Sequence, residues 1–557
     1  MNSEIIKYVF QKLSLLLFLS TIINAQDINK NFSLNIGENF IIYPSSLNQT
    51  EVFITTNPAV PDVFFVSANT IMFVPFFISE GIYATTDGGV NWYGTDTCKG
   101  APIMSHGGDP GITIDKDGTF ILTRRGFSPG LYSHYSTDFG ITWSNQKIIS
   151  NDDLERATMT SDAQYDSPNF GRSYAAWVKF APPFPLQFSY TDDGGLSWSA
   201  PAQVNNPIQQ SAGGDITMGP DGTVYVCWAG INSVSPFTED FVGVASSSNG
   251  GNSWQVIENA FDMNGIHGVL AAKGNIRVNG LPNIAVDTTG GPRNNWIYIV
   301  TTQKDLAPAG SDPDVILNRS SDGGLTWSAG IRVNQDELNN GAIQYFPAVH
   351  VDKYGGLNII FYDDRNTTSD STGVFLARSK DGGNSWNEFE ISDRNFKPLP
   401  IGGLGQGYQG DNISISSSNN KLWPVWMDNR TGIYQIWTVP IEISSVDVET
   451  VDNMPFQFSL KQNYPNPFNP NTKINYSIPY QSNVKIKIFD ILGKEIVTLV
   501  NEEKPAGSYE VTWYAELLPS GVYFYQLKAT PAGGQAGDPS TSSGQVFIQM
   551  KKMILLR

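Results

Sequence analysis

The chain has 557 residues, 40% of them hydrophobic and 12% aromatic, with 53 glycines and 33 prolines. That supports one large apolar core plus a smaller one, built from short segments broken by many turns. A formal net charge of −18 excludes a nucleic-acid-binding face, which would have to be basic, and suits an exported protein better than one held on an anionic membrane.

Residues 1–25 carry Lys7 and Lys12, the apolar run "LSLLLFLSTII" and then "NAQ". This is the pattern of a secretory signal peptide cut after Ala25. The run "IMFVPFFIS" (71–79) is too short for a membrane span and contains Pro75, so it reads as a buried strand, and no transmembrane segment is expected in the mature chain. Cys98 and Cys227 fall in different repeat units, which disfavours a disulfide. Four scattered histidines and no zinc spacing give no transition-metal site. The acidic side chains could hold Ca²⁺, but a solvated acidic surface accounts for them, so no cofactor is assigned.

Between residues 35 and 445 one motif recurs: "TTDGGVNW" ending at Trp92, "STDFGITW" at Trp143, "TDDGGLSW" at Trp198, "SSNGGNSW" at Trp254, "SSDGGLTW" at Trp327 and "SKDGGNSW" at Trp386. The frame is Ser/Thr-x-Asp-x-Gly-x-x-Trp. Its acidic position is filled by Asp87, Asp138, Asp193, Asn249, Asp322 and Asp381. Glycine can take positive φ in a tight hairpin, the carboxylate can accept backbone N–H groups, and the tryptophan can bury its face between neighbouring units. Six copies spread around a ring cannot all meet one substrate, so the motif is structural.

Each copy follows three strand-like runs, and the second runs number seven: "VFFVSAN", "TFILTRR", "SYAAWVKF", "TVYVCW", "WIYIVTT", "LNIIFYDDR" and "KLWPVWMDNR". Strand-rich repeats at this period predict an all-β chain with a β-propeller of seven blades, six being the alternative. The last unit lacks a motif and a fourth strand. "NFIIYPS" (39–45) is expected to supply that strand and close the ring, protecting a sheet edge. The six motifs resemble the BNR, or Asp-box, repeats of the sialidase superfamily. That resemblance implies that the motifs join third and fourth strands on the face opposite any active site. A working sialidase would need three arginines, the first in an Arg-Ile-Pro motif, with an Asp acid and a Tyr–Glu pair. Here no arginine precedes Arg124 and no Arg-Ile-Pro occurs, which argues against sialidase activity.

The opposite face is therefore where a site belongs. Its richest loops are "YDDRN" (362–366) and "MDNRTG" (427–432), which make Asp364, Arg365, Asp428 and Arg430 the candidate catalytic groups. The commoner use of such Asp/Arg sets is to brace their own turns. Asp109, Arg124, Asp215, Tyr345, Tyr408 and Asp411 are candidate ligand-binding residues near the same face, with His106 beside them. Two functions are open. A binding propeller recognising an extracellular glycan or protein needs no catalytic set. A glycoside hydrolase needs two carboxyls converging on the axial pocket, one with a raised pKa.

A linker (446–458) leads to the C-terminal segment 459–557. There "LKQNYPNPFNPNT" precedes period-two runs such as "VKIKIFD", which puts Val484, Ile486 and Ile488 on one face of a small immunoglobulin-like β-sandwich. "QNYPNPFNP", "IFDILGKEIVTLVN", "SGVYFYQL" and the final "KKMILLR" resemble the type A sorting domain of type IX secretion substrates. The resemblance implies that the type IX machinery is a partner and that the protein is released or attached at the cell surface. The insertion "AGGQAGDPSTSSGQ" (532–545) departs from the pattern and is expected to lengthen a hairpin loop. A monomer is expected.

Overall fold

The computed structural model describes residues 31–73, 76–98, 106–126, 128–446, 458–505, 507–516, 518–531 and 546–556. The predicted signal peptide and most of the predicted linker and hairpin insertion lie outside the described residues. The chain divides into two compact units, Phe32–Ser445 and Val446–Arg557. Apart from a single 3₁₀ turn at Ala271–Lys273, the regular structure of the described residues is β, and no helix among them is long and apolar enough to cross a membrane.

In the larger unit, six four-stranded antiparallel meanders follow one another, at residues 48–95, 111–150, 158–203, 210–262, 283–332 and 344–390. A seventh sheet contains Ser414–Ser418, Lys421–Asp428 and Gln435–Thr438, and its next strand comes from the other end of the unit. Phe40–Ile41 pairs with Gln435–Thr438, Phe40 opposite Thr438 and Ile41 opposite Trp437. The seven first strands touch in cyclic order, and the seventh, Ser414–Ser418, touches the first, Asn48–Thr56.

The second strands are apolar on both faces because each lies inside its sheet and packs against neighbouring sheets. Ser173–Val178, Ile297–Gln303 and Leu357–Asp363 are buried along their whole length. Such two-sided burial demands a continuous apolar run rather than alternation, which is why these segments stand out in the sequence. The run 71–79 is not one strand. It is shared between Phe64–Phe73 and Phe76–Thr85, antiparallel neighbours with Phe73 opposite Phe76.

The six Trp-containing turns lie between third and fourth strands. In the fifth sheet, Ser320 Oγ donates to Asp322 Oδ1 at 2.8 Å, Gly324 N donates to Ser320 Oγ at 2.9 Å, and Thr326 gives Asp322 its N–H at 3.0 Å and its hydroxyl at 2.5 Å. These bonds, led by that of the Thr326 hydroxyl, hold the Asp322 carboxyl down at about 2. Asn249 serves in the fourth copy because its amide reverses one bond. Its Oδ1 still accepts Ser253 N–H at 3.0 Å, while its Nδ2 donates to Ser253 Oγ at 2.8 Å. The tryptophans reach the preceding sheet, as Trp143 does on Phe65 (ring centroids 5.6 Å) and Trp254 on Phe188 (4.9 Å). Gly89, at φ +87°, has no room for a side chain, since a Cβ there would fall 2.3 Å from the Trp423 ring of the seventh sheet.

The smaller unit has a three-stranded and a four-stranded sheet sharing one apolar core. Val484, Ile486 and Ile488 are fully buried in it, as their alternation requires. Tyr525 Oη donates to the Lys461 carbonyl and accepts from Asn463 N–H, both at 2.8 Å, tying the proline-rich entry to the sheet. The thiols of Cys98 and Cys227 are buried and form no disulfide.

Candidate functional site

A central cavity of about 400 Å³ is lined by first-strand residues of all seven sheets. Polar bonds join neighbouring first strands around it. Thr113 meets Ser161 at 2.8 Å, Asn283 donates to Asp215 at 2.7 Å, Val349 N–H donates to Asn283 Oδ1 at 2.7 Å, His350 meets Ser417 at 2.7 Å, and Thr56 meets Ser416 at 2.6 Å. Asp215 also accepts Ile216 and Ile284 N–H groups at 3.0 Å. Burial raises its carboxyl pKa against those bonds.

A second cavity of about 430 Å³ shares Arg156, Asn279, Leu281 and Asp411 with the first. Its walls are residues that precede or begin first strands, end second strands or begin a third, as Glu239 does, with Arg277 and Val278 from the hairpin of Gly268–Leu270 and Ile276–Val278. This is the end of the sheets away from the Trp-containing turns. It is densely charged: Glu51, Asp109, Glu155, Glu239 and Asp411 face it together with Arg125, Arg156 and Arg277.

Glu51 is the unusual member. The pairing between Asn48–Thr56 and Phe64–Phe73 slips between Thr50 and Phe53, and Glu51 occupies this bulge at φ +55°. A non-glycine residue pays strain there, and a bulge re-aims a side chain. Glu51 is 4% exposed and accepts no hydrogen bond from the described residues. Burial, then the charges of Asp411 and Asp109, push its pKa up to about 8, against the pull of Arg156 and Arg277.

The other acids are engaged. Arg277 binds Asp411 through two nitrogens, one at 3.0 Å, and lies over the Tyr408 ring at 5.1 Å. Arg125 bridges Asp109 at 3.3 Å and Asp153 at 3.2 Å. Both Glu239 oxygens accept Gly280 N–H, at 2.8 and 3.0 Å, yet burial still pushes its pKa up to about 7. Glu155 accepts Gly213 N–H at 2.9 Å and is raised by burial. Arg156 donates to Asn412 and lies 5.2 Å from the Phe53 ring centroid. Tyr408 Oη meets Thr50 Oγ1 at 2.9 Å and accepts from Asn69 at 3.1 Å.

Of the residues singled out from sequence, Asp109 and Asp411 line this cavity, Tyr408 stands at its edge under Arg277, and Asp215 lines the central one. The other six line neither. Asp364 is buried, 2.5 Å from Lys273 Nζ. Arg365 binds Glu388 at 2.7 and 2.9 Å and Asp363 at 2.8 Å. Asp428 accepts Arg430 N–H at 2.7 Å and Nε at 2.6 Å, and Arg430 lies over Trp437. Asp363–Arg365 and Asp428–Arg430 each brace their own turn, whereas Asp364 ties its turn to Lys273. Arg124 is buried and donates to His134 at 3.0 Å and Gln146 at 2.9 Å. Its neighbour His106 is buried against Glu80. Tyr345 is packed among Phe346 and Tyr362. Sequence reasoning missed Glu51, Arg125, Glu155, Arg156, Glu239 and Arg277. The signal available for Glu51 was a charge inside the strand-like run "TEVFITT".

Residues 462–532 match the family model described as secretion system C-terminal sorting domain. The chain carries a type IX sorting domain. It is therefore exported by type IX secretion to the cell surface or extracellular space. None of the curated proteins matches the chain. Similar solved structures include a protein of unknown function from Dyadobacter fermentans (12% identity, 74% of this chain and 99% of that one, TM-score 0.43). Others are a family PL25 ulvan lyase bound to -[GlcA(1-4)Rha3S]- (11%, 73% and 96%, TM-score 0.46) and a leech intramolecular trans-sialidase (12%, 64% and 70%, TM-score 0.38).

Proposed function

We propose that the larger unit is a closed seven-bladed propeller of Asp-box repeats, and that it binds an extracellular saccharide in the charged cavity on the face opposite the repeats. Residues 1–25 act as its signal peptide, and residues 459–557 as a type A sorting domain. The cyclic contact of the seven first strands and the pairing of Phe40–Ile41 in the seventh sheet support closure. The observation that carries the binding reading is the cavity itself. At about 430 Å³ it lies within the size range of small-ligand sites. Its Arg277–Asp411 and Arg125–Asp109 pairs, fixed in place, present donors and acceptors that suit hydroxyl-rich rings.

Glu51 favours a second reading, glycoside hydrolysis. A carboxyl that holds its proton to about 8 can protonate a glycosidic oxygen. Binding takes precedence because the acids that would have to act with Glu51 are engaged, Asp109 and Asp411 by arginines, Glu155 and Glu239 by backbone N–H groups. A glycan array and a hydrolysis screen on the mature protein test both. Arg277→Ala should weaken saccharide binding about tenfold or more, as expected for loss of a charge-assisted pair, while Asp193→Asn on the other face leaves it unchanged. Equal loss from both variants defeats the cavity assignment. Turnover abolished by Glu51→Gln promotes the hydrolase reading.

A further inference from the structure

Five carboxyl groups and three guanidiniums face the cavity, an excess of two acids. Two of the acids are neutralised locally, Asp411 by Arg277 and Asp109 by Arg125. Arg156 forms no ion pair among the described residues, and its charge falls at once on Glu51, Glu155 and Asp215. Glu51, only 4% exposed, accepts no hydrogen bond from the described residues, and Glu155 accepts one, at Oε2 alone. The cavity therefore holds acceptor oxygens without donors, and more carboxyl groups than guanidiniums.

We propose that the saccharide taken by this cavity carries a protonated amino group, as a deacetylated hexosamine does, seated between the carboxylates of Glu51 and Glu155. The inference rests on the saccharide reading above and names its substrate class. An ammonium has three donors and no acceptor, which matches a site rich in acceptors. A divalent metal would need several convergent oxygen ligands, and the described residues hold no such group. An acidic sugar would bring a further carboxylate to a cavity where acids already outnumber guanidiniums five to three. In its empty state Glu51 keeps a proton, because burial and the charges of Asp411 and Asp109 outweigh Arg156 and Arg277. The incoming ammonium replaces that proton, so affinity rises with pH, by at most about tenfold per unit while the amine stays charged, and falls with added salt.

Calorimetry on the full chain at pH 5.0, 5.5 and 6.0, where the glucosamine amine stays protonated, tests this. The probes are a β-1,4-glucosamine tetrasaccharide, its fully N-acetylated counterpart, a galacturonate tetrasaccharide and ethanolamine. The expected result is binding of the glucosamine oligomer at least about tenfold tighter than its N-acetylated counterpart, with proton release and no uronate binding. Glu51→Gln should remove the pH slope, and Glu155→Gln should weaken the amino oligomer alone. If Glu51→Gln fails to fold, Glu155→Gln carries the comparison. Equal or tighter binding of the N-acetylated or uronate oligomer overturns the inference and leaves the saccharide reading standing. Ethanolamine binding with all three oligosaccharides silent overturns the saccharide reading, and silence from all four probes overturns both.

Discussion

Lys273 offers the sharpest test of the assignment of Asp364 as a brace. It closes the 3₁₀ turn Ala271–Lys273 between the hairpin strands Gly268–Leu270 and Ile276–Val278, and it is wholly buried. Its ammonium lies 2.5 Å from Asp364 Oδ2 and donates to the carbonyls of Ser369 at 2.7 Å and Ser371 at 3.0 Å. The other Asp364 oxygen accepts Ile343 N–H at 2.7 Å. Lys273→Met keeps the stem's volume but strands a buried carboxylate and two carbonyls. Breaking one side of a buried pair costs about 3–5 kcal/mol. Asp364→Asn in the same chain removes the stranded charge, keeps an acceptor for Ile343 and should recover half or more of that loss. The assay is guanidinium denaturation at pH 7 of wild type, both single variants and the double variant, read as a double-mutant cycle. Tryptophan fluorescence and near-ultraviolet circular dichroism should give coincident midpoints if the larger unit unfolds in one step. A single-variant cost under about 1 kcal/mol would refute the buried-pair argument, as would a double variant no more stable than Lys273→Met.

Glu51 should show the opposite linkage to a salt-bridged acid. Its folded pKa, about 8, lies above the 4.5 of a free glutamate, so its contribution to stability is whole below about 4.5 and is lost as pH rises through about 8. Glu51→Gln should therefore gain on wild type between pH 5 and 9 in denaturation midpoint, and a flat difference would remove the raised pKa. Trp423 is 3% exposed, with ring centroids 5.3 Å from Phe64 and 6.4 Å from Trp92. Trp423→Ala should cost about 3–5 kcal/mol, and a cost confined to local exchange in the seventh sheet would argue against ring closure. Asp322→Ala deletes the acceptor of Ser320 and Thr326 and should cost about 1–2 kcal/mol, comparable to losing a helix cap. Asn249→Asp should be nearly neutral by the same denaturation assay, because the Ser253 hydroxyl can reverse its bond and donate, as Thr326 does.

The sheets were legible because repetition and burial write to the sequence in the same places. The seven continuous apolar runs became second strands because a strand covered on both faces has no polar side to betray. "NFIIYPS" could be matched to the seventh sheet because that unit lacked a strand. The Asp/Arg sets have a local use that their spacing also encodes. Asp363–Arg365 and Asp428–Arg430 look like catalytic groups at strand ends, yet in each the aspartate accepts the N–H and the Nε of an arginine two residues on. Local closure satisfies both charges. Glu51 and Arg277, by contrast, gain their meaning from residues more than a hundred positions away, such as Asp411, and no spacing rule reports that.

The position of the cavity follows from how a repeat departs from itself. On the side of the Trp-containing turns, six units close on one hydrogen-bond scheme, so no single unit there can be distinctive. At the other end the first strands differ. Those of the first, fourth and sixth sheets slip register near their beginnings, between Thr50 and Phe53, Ala212 and Asp215, and Tyr345 and Ala348. The slips hold Glu51 at φ +55°, Gly213 at φ +61° and Phe346 at φ +51°. Gly213 tolerates that backbone and uses its N–H to hold Glu155, whereas Glu51 bears strain there and keeps an unpartnered carboxyl. A strained, buried acid persists only where surrounding structure over-determines it, and here the surrounding sheets are built to do so. The regular face supplies the rigidity, and the irregular face uses it to hold a buried acid whose proton burial and the charges of Asp411 and Asp109 retain.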